Sequence, residues 1–276
     1  MNTRKVKIKR NLTRKSKTNI DPYSIPTVII SWNQLSFVKN MVEKLKKYKN
    51  PIIILDNNST FKPIFNYYKE IKKELGEKIT IKLLKENYGS GIYLKLKHRL
   101  PKVFMLSDPD IDINEKMPEN FAEILFKLSN KYKVYKVGLA LELKDKEKFV
   151  RCAQKGNPLY KYQLQFWKQK IPNKDYELYR AAVDTTFCLI NSKYKVEGIN
   201  PIMPAIRIAG NFTARHLPWY KNLLKDMIPS DELYMYFKNN KSSTFVRRCI
   251  RPMLRKTVKH NIRKNTLDEN IKKINN

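Results

Sequence analysis

Three aspartates, Asp108, Asp110 and Asp112, directly follow the apolar run FMLS, and a single residue separates each from the next. Closely spaced carboxylates are the ligands that a hard divalent cation prefers, and such a cation can hold a phosphate ester. Asp and Pro are also common turn formers, and an Asp can cap a helix. The stretch alone therefore leaves a metal site and a simple turn open, and the surrounding elements must decide.

The elements around these aspartates alternate between two hydrophobic patterns. The runs PTVIIS, PIIIL, ITIKLL, KVFMLS and VYKVGLAL are short, apolar and rich in β-branched residues, which predicts buried strands. Amphipathic segments with helical spacing lie between several of them. This order predicts an α/β fold with a mostly parallel sheet flanked by helices. Further strands are predicted at TTFCLI and AIRIA, and a short helix near Trp167.

Polar residues stand at the ends of the first four predicted strands. In open α/β sheets, ligands bind beyond the carboxyl ends of the strands. A turn could explain the polar residues at any one strand end. The same explanation would have to hold at all four ends, so a single binding rim that uses all of them is favoured. The residues are Ser31, Trp32 and Asn33 after the first strand, Asp56 after the second, Asn87 after the third, and Asp108 and Asp110 after the fourth.

The composition limits the class of protein. The chain has 276 residues, is 42% hydrophobic and carries a formal net charge of +32, so it can form a core and attracts polyanions or simply stays soluble. No apolar run approaches the roughly 20 residues that span a bilayer. Three cysteines at unrelated positions argue against a disulfide framework. We expect a cytoplasmic protein, or one peripheral at an anionic membrane, without signal peptide or transmembrane segment.

The positive charge is concentrated at both ends. We predict a basic disordered tail at 1–24, a folded domain at 25–240 divided near 115, and a basic extension at 241–276. The segment VRRCIRPMLRKTVKHNIRK resembles a basic amphipathic helix that lies on an anionic membrane, although Pro252 weakens it.

Several short motifs, in this order, resemble a known family. PTVIISWNQ, IIILDNNS, ENYGSGIY and VFMLSDPDI resemble the nucleotide-sugar half of the GT-A glycosyltransferases, close to family 2. VDTTF and IRIAGNFTARHLPWY are similar to the C-terminal portion of a bacterial and viral subgroup. The resemblance covers roughly Pro26 to Tyr220. It implies a Rossmann-like GT-A fold, with a nucleotide-binding half at 25–115 and an acceptor half at 116–240.

The resemblance also implies an activity and roles for residues. The activity is a metal-dependent, inverting transfer of a hexosyl group from a nucleoside diphosphate sugar, with a UDP-sugar favoured, to a glycan, lipid-linked or protein acceptor. A Mn²⁺ or Mg²⁺ ion would be bound by Asp110 of the Asp-x-Asp motif and by His216, although a lone histidine is more often structural. The nucleotide would be bound by Ser31, Trp32, Asn33, Asp56, Asn87, Asp108 and Arg215.

The catalytic base is less clearly marked. An inverting transfer needs a group that deprotonates the acceptor hydroxyl. Asp184 is the candidate, a turn or helix-cap role is equally open, and Asp231 and Glu232 form a competing acidic pair. The chain departs from the common family pattern at Asn57 and Asn58, where a second acid and a glycine are usual.

Two other functions remain open from the sequence. A sugar nucleotidyltransferase shares a similar α/β half, but its Gly-rich basic loop after the first strand is absent from SWNQLSF. A nucleic-acid-binding protein on an inactive transferase fold would use the basic tails and show steep salt dependence. Against it, the tails lack the interleaved aromatic residues on which bases stack.

Overall fold

A computed structural model describes residues 20–150, 158–198, 200, 202–220, 227–229, 231–232 and 235. Most of the predicted N-terminal tail at 1–24 and all of the basic extension at 241–276 lie outside these residues, as does the predicted membrane-surface helix. The division of the chain at 115 and 240 stays a prediction. In the part of the chain that is described, no helix is both long enough and apolar enough to cross a membrane.

The order of elements follows the predicted alternation. The strands are β1 (Thr27–Ser31), β2 (Ile52–Asp56), β3 (Ile79–Leu83), β4 (Val103–Ser107), β5 (Ile111–Ile113), β6 (Lys136–Leu139), β7 (Lys170–Ile171), β8 (Leu178–Arg180), β9 (Cys188–Asn191), β10 (Ala205–Ile208) and β11 (Ala214–His216). The helices are α1 (Leu35–Leu45), α2 (Pro63–Leu75), α3 (Ile92–Lys95), α4 (Phe121–Tyr132) and α5 (Pro158–Leu164). Each strand and helix predicted from periodicity within this region has a counterpart.

Nine of the strands form one sheet, in the order β3-β2-β1-β4-β9-β6-β10-β8-β7. Parallel pairing joins β3, β2, β1 and β4, and it also joins β6 to β10. Only β9 and β8 run against the others. The mostly parallel α/β fold is therefore confirmed. Two of its strands, β8 and β9, are antiparallel to their neighbours, and hydrophobic patterning does not reveal the direction of a strand.

The direction of β9 has a simple structural cause. The segment 181–187 stays beside the end of β4, where Leu106 pairs with Cys188, the first residue of β9. A strand that begins at this rim can only run back through the sheet. As a result, the segment before β9 is held next to the residues that follow β4.

The core explains why polar residues collect at the rim. Every residue of β1 and of β4 is buried, because helices and loops cover both faces of the sheet. The amphipathic helices α1, α2 and α4 pack one face through side chains such as Val38, Ile64 and Leu125. Strands buried on both faces leave only their ends for polar side chains.

A second, two-stranded sheet stands just beyond the end of β4. It pairs β5 with β11 in antiparallel fashion, so that His216 lies opposite Ile111. The backbone N–H of Leu217 donates to the carbonyl of Asp110 at 2.9 Å. This small sheet brings a segment from late in the chain onto the Asp-x-Asp motif.

Candidate functional site

The parallel register places the predicted polar residues at one edge of the sheet. Ser31 at the end of β1 lies opposite Asp56 at the end of β2, and Ile29 lies opposite Ser107 at the end of β4. The loops that carry Asp108 and Asp110 therefore start beside the end of β1. The convergence expected from strand ends alone is present.

A tyrosine from α2 closes the β1–β2 end of this rim. The Tyr68 hydroxyl lies 2.8 Å from Asp56 Oδ2 and 3.0 Å from Ser31 Oγ. Asp56 Oδ1 accepts from the backbone N–H of Ser59 at 2.7 Å, and Asp56 is only 1% exposed. Burial and the Asp56 charge raise the pKa of Tyr68, so the phenol stays protonated and donates. A ligand can therefore bind Asp56 only by donating a hydrogen bond to a carboxylate lone pair that Ser59 and Tyr68 leave free.

Asn33 organises the loop that follows β1. Its Oδ1 accepts from the backbone N–H groups of Thr60 and Phe61 at 2.6 and 2.8 Å, and its own N–H donates to Ser59 Oγ at 2.9 Å. It has a φ of 56°, a left-handed conformation that Asn tolerates better than most residues. Asn33 is 2% exposed, whereas its neighbour Trp32 is half-buried. Trp32 thus offers the accessible surface in this loop.

Asn57 connects the β2 end to the loop after β3. Its Oδ1 accepts from the N–H of Tyr88 at 2.8 Å, and its Nδ2 donates to the carbonyl of Gly89 at 3.1 Å. This holds the loop that carries Asn87, an exposed residue whose Oδ1 accepts from the N–H of Gly89 at 2.8 Å. The sequence indicated Asn57 only as a departure from the family pattern. In the fold it binds both sides of a loop, which an acidic residue could not do because it lacks a donor.

Asp108 is held by the segment before β9. Its backbone N–H donates to the carbonyl of Thr185 at 2.9 Å, and the Thr185 hydroxyl donates to Asp108 Oδ2. Burial raises the pKa of Asp108 well above its ordinary value, and the charges of Asp110 and Asp184 raise it further. Two further carboxylates thus act on Asp108 at the end of β4, an arrangement that a cation or a proton must relieve.

His216 faces Asp110 across the two small strands. Its Nε2 lies 3.7 Å from Asp110 Oδ1, and its ring stacks on Trp219 with centroids 4.6 Å apart. Burial lowers the pKa of His216, which favours the neutral imidazole that can act as a ligand. Asp110 Oδ1 and His216 Nδ1 are buried and have no hydrogen-bond partner among the described residues. Orphaned polar atoms of this kind indicate a missing partner.

These residues fit a divalent cation in part. Two ligands of one octahedral ion at about 2.1 Å lie about 3.0 Å apart when adjacent and about 4.2 Å apart when opposite. The 3.7 Å between Asp110 Oδ1 and His216 Nε2 lies between these two values, so a small movement of either side chain would bring both atoms onto one ion. Among the described residues, no group of three or more His, Cys, Asp or Glu side chains is arranged to hold a metal. The protein therefore offers two ligands, and ligand phosphates and water would have to complete the coordination.

The candidate bases differ in how free their carboxylates are. Asp184 is exposed and makes no side-chain hydrogen bond to the described residues, and its charge acts on both Asp108 and His216. Glu232 is 1% exposed and accepts from the Ser36 N–H and hydroxyl at 2.8 and 2.6 Å. Glu232 is thus bound to the first turn of α1, whereas Asp231 beside it is exposed.

Arg215 is not brought together with Asp110. Its Nε donates to Asp145 Oδ2 at 3.0 Å, and it pairs with Asp112 across the two small strands. Successive residues of a strand face opposite sides, so Arg215 points away from the side that His216 occupies. It lines a separate cavity of about 300 Å³ with Lys44. The expected contact between Arg215 and phosphate has no support in this arrangement.

Comparisons with known proteins are sparse at the level of sequence. No family model matches the chain, and no curated protein matches it. Solved structures do match, among them the following two. Mannosyltransferase PcManGT from Pyrobaculum calidifontis, in complex with GDP-Man and Mn²⁺, is 11% identical with a TM-score of 0.39, over 60% of this chain and 44% of that chain. GalNAc-T7 with UDP, GalNAc and Mn²⁺ is 12% identical with a TM-score of 0.44, over 86% of this chain and 55% of that chain.

The chain thus spans about half the length of the solved chains it matches. Neither TM-score reaches 0.5, so the chemistry has to be argued from the residues of this chain.

Proposed function

We propose that the protein is a metal-dependent glycosyltransferase that uses a nucleoside diphosphate sugar as donor. The observation that carries the proposal is the meeting of Asp108, Asp110, Asp184 and His216 at the carboxyl ends of the parallel strands. Two of their buried atoms, Asp110 Oδ1 and His216 Nδ1, have no partner in the part of the chain that the structure describes. A diphosphate leaving group develops charge that a cation and fixed donors can neutralise. An acidic cluster in so basic a chain is well suited to hold that cation.

The nucleoside would bind at the β1–β2 end of the rim. Trp32 offers a half-buried aromatic surface, and Asn87 stands exposed on the loop that Asn57 holds. Ser31, Asn33 and Asp56 are buried and shape the pocket from beneath, with Asp56 able to accept a further bond from the base. Asp108 lies between this end and the metal end, where a ribose or a metal-bound water would sit.

Asp110 and His216 would bind the divalent cation. When bound, Mn²⁺ or Mg²⁺ would supply positive charge to the diphosphate oxygens. The protein's own contribution is to hold the two ligands 3.7 Å apart, with Asp110 in the turn between β4 and β5 and His216 at the end of β11, and to shield them with Trp219. Arg215 is left out of the phosphate site because it pairs with Asp145 on the other side.

Asp184 would act as the base on the acceptor side. The acceptor O–H would give its proton to the Asp184 carboxylate while the oxygen forms a bond to the anomeric carbon. The bond from that carbon to the diphosphate breaks, and the electron pair leaves with the nucleoside diphosphate. Attack from the face opposite the leaving group inverts the anomeric centre. The free, exposed carboxylate of Asp184 supports this role over Glu232.

The test is a turnover assay on a panel of UDP-sugars and GDP-sugars with Mn²⁺, with water as the acceptor and release of UDP or GDP as the readout. We expect one donor to be turned over, and Asp184→Asn to lower kcat about 100-fold or more, as expected on loss of a general base. Asp231→Asn is the matched control and should leave kcat unchanged. The proposal fails if no donor is turned over above the blank. The assignment of the base fails if Asp231→Asn, and not Asp184→Asn, abolishes turnover.

A further inference from the structure

Two buried cations lie under the segment that carries Asp184. Lys136 on β6 is 0% exposed and Arg207 on β10 is 3% exposed. Arg207 pairs with Gly138 across the parallel strands, so Lys136, Gly138 and Arg207 share one face of the sheet. Among the described residues, neither cation has a carboxylate within ion-pair distance. Buried charges without a counter-ion are costly, so their donors must be satisfied in another way.

Three consecutive carbonyls accept hydrogen bonds from the two cations, whereas Arg207 Nη1 has no partner among the described residues. Lys136 Nζ donates to the carbonyls of Val183 and Asp184, each at 3.1 Å, and Arg207 Nε donates to the carbonyl of Ala182 at 2.9 Å. Bonds from a charged donor are about twice as strong as neutral ones. The backbone beneath Asp184 is thus fixed by charge-assisted bonds, while its carboxylate stays exposed on the outer side.

The same segment is fixed by packing and by neighbouring bonds. Val183 packs directly on Gly138, where an added Cβ would lie only 2.4 Å from Val183 Cγ1. The N–H of Val183 donates to the carbonyl of Ile202 at 3.1 Å, and Thr185 bonds to Asp108 on the far side. A loop held at so many points is unusual, because loops on a protein surface are ordinarily mobile. We call the segment 182–185 the clamped loop.

We propose that Lys136 and Arg207 are positioning residues that hold the clamped loop so that Asp184 meets the acceptor hydroxyl. This inference rests on the proposed function for its catalytic consequence. Neither cation touches substrate, because both are buried under the loop. Their effect is on the placement of the Asp184 backbone, and a shift of about 1 Å there can lower the rate about 100-fold. Among the hydrogen bonds of the described residues, none joins either cation to Ser31, Asn33, Asp56 or Asn87, so donor binding should be spared.

Lys136→Met is the first variant, because it keeps the apolar stem and removes the donors. Replacing a buried charge by an apolar residue of similar shape is often tolerated by the fold. Lys136→Arg keeps the charge and tests for partial rescue. Lys72→Met is the matched control: Lys72 Nζ also donates to two main-chain carbonyls, those of Gly76 and Ile79, each at 2.8 Å, but at the far end of α2.

Three measurements separate positioning from general damage. We expect Lys136→Met to bind UDP with Mn²⁺ as the wild type does, with an unchanged donor KM, while kcat falls about 100-fold. Lys136→Arg should recover part of kcat, and Lys72→Met should match the wild type. Unchanged kcat in Lys136→Met, or a joint loss of UDP binding and kcat, overturns the proposal.

The third measurement reports how often the clamped loop opens and does not depend on enzymatic activity. Cys188 Sγ lies 3.8 Å from the Asp184 carbonyl, beneath the clamped loop, and Cys188 is 0% exposed. In a background with Cys152→Ser and Cys249→Ser, alkylation of Cys188 should be about tenfold faster or more in Lys136→Met, because the loop opens more often. If the wild type neither binds UDP nor turns over a donor, the proposed function fails, and alkylation alone decides. Faster alkylation of Cys188 in Lys136→Met than in Lys72→Met then supports the role of Lys136 in holding the clamped loop, and equal rates overturn it.

Discussion

Gly138→Ala tests the packing beneath the clamped loop most directly. The added Cβ would lie 2.4 Å from Val183 Cγ1 and 2.8 Å from Cγ2, far inside the about 3.5 to 4.0 Å at which carbon atoms pack best. Gly138 is part of β6 and Val183 is 0% exposed, so the side chain has no empty space into which it can move. The loop itself must shift.

The expected cost can be estimated from its parts. Overpacking a buried site costs about 1 to 3 kcal/mol, and replacing a strand glycine by alanine returns about 0.5 to 1 kcal/mol. Because contacts of 2.4 and 2.8 Å with a buried side chain place the overpacking cost at about 2 to 3 kcal/mol, the net loss in the free energy of unfolding should be about 1 to 2.5 kcal/mol. Val183→Ala removes the two methyl groups that clash. The double variant should be less destabilised than the sum of the two single variants, with a coupling of about 1 kcal/mol or more.

Urea unfolding of the wild type, both single variants and the double variant gives this coupling. The reasoning is refuted if Gly138→Ala is neutral or stabilising. It is also refuted if the effects of Gly138→Ala and Val183→Ala add within about 0.5 kcal/mol, because residues in contact should be coupled.

Two further results are expected. Tyr68→Phe should lower the free energy of unfolding, measured in urea, by about 1 to 3 kcal/mol, because buried Asp56 and Ser31 lose a hydrogen-bond partner. An unchanged free energy of unfolding would show that the Tyr68 hydroxyl does not stabilise the buried Asp56 carboxylate. In the Cys152→Ser, Cys249→Ser background, alkylation of Cys188 in the native protein should stay slow at pH 8, because the thiol is fully buried and burial raises its pKa to about 11. Urea-unfolded protein should react at once, and rapid reaction of the native protein at pH 8 would contradict the burial.

The sequence predicted the parts of the fold that depend on local patterns. Short β-branched runs identified β1 through β4, and strand ends identified the rim with Asp56 and Asp108, because both signals lie in adjacent residues. The direction of β9 was not predictable in this way, because apolar patterning is the same in either direction. It follows instead from the position of the segment 181–187, which lies beside the end of β4.

The roles that sequence reasoning missed are long-range hydrogen bonds. Tyr68 reads as one more residue of an apolar helix face, and Lys136 as a lysine at the start of a strand. Their partners, Asp56 for the first and the Asp184 carbonyl for the second, become neighbours only in the folded chain. Arg215 faces away from His216 because the two are successive residues of β11, a strand that was not predicted from the sequence.

Calorimetric titration of UDP, with and without Mn²⁺, tests the central claim most directly. The wild type should bind UDP only with metal, and Asp110→Ala should abolish that binding because the cation loses its carboxylate. Asp112→Asn is the control, since Asp112 pairs with Lys44 at 2.7 Å on the other side of β5, and this variant should bind as the wild type does. UDP binding that is equally tight without metal, or that survives in Asp110→Ala, would contradict a metal-dependent nucleotide site at this rim.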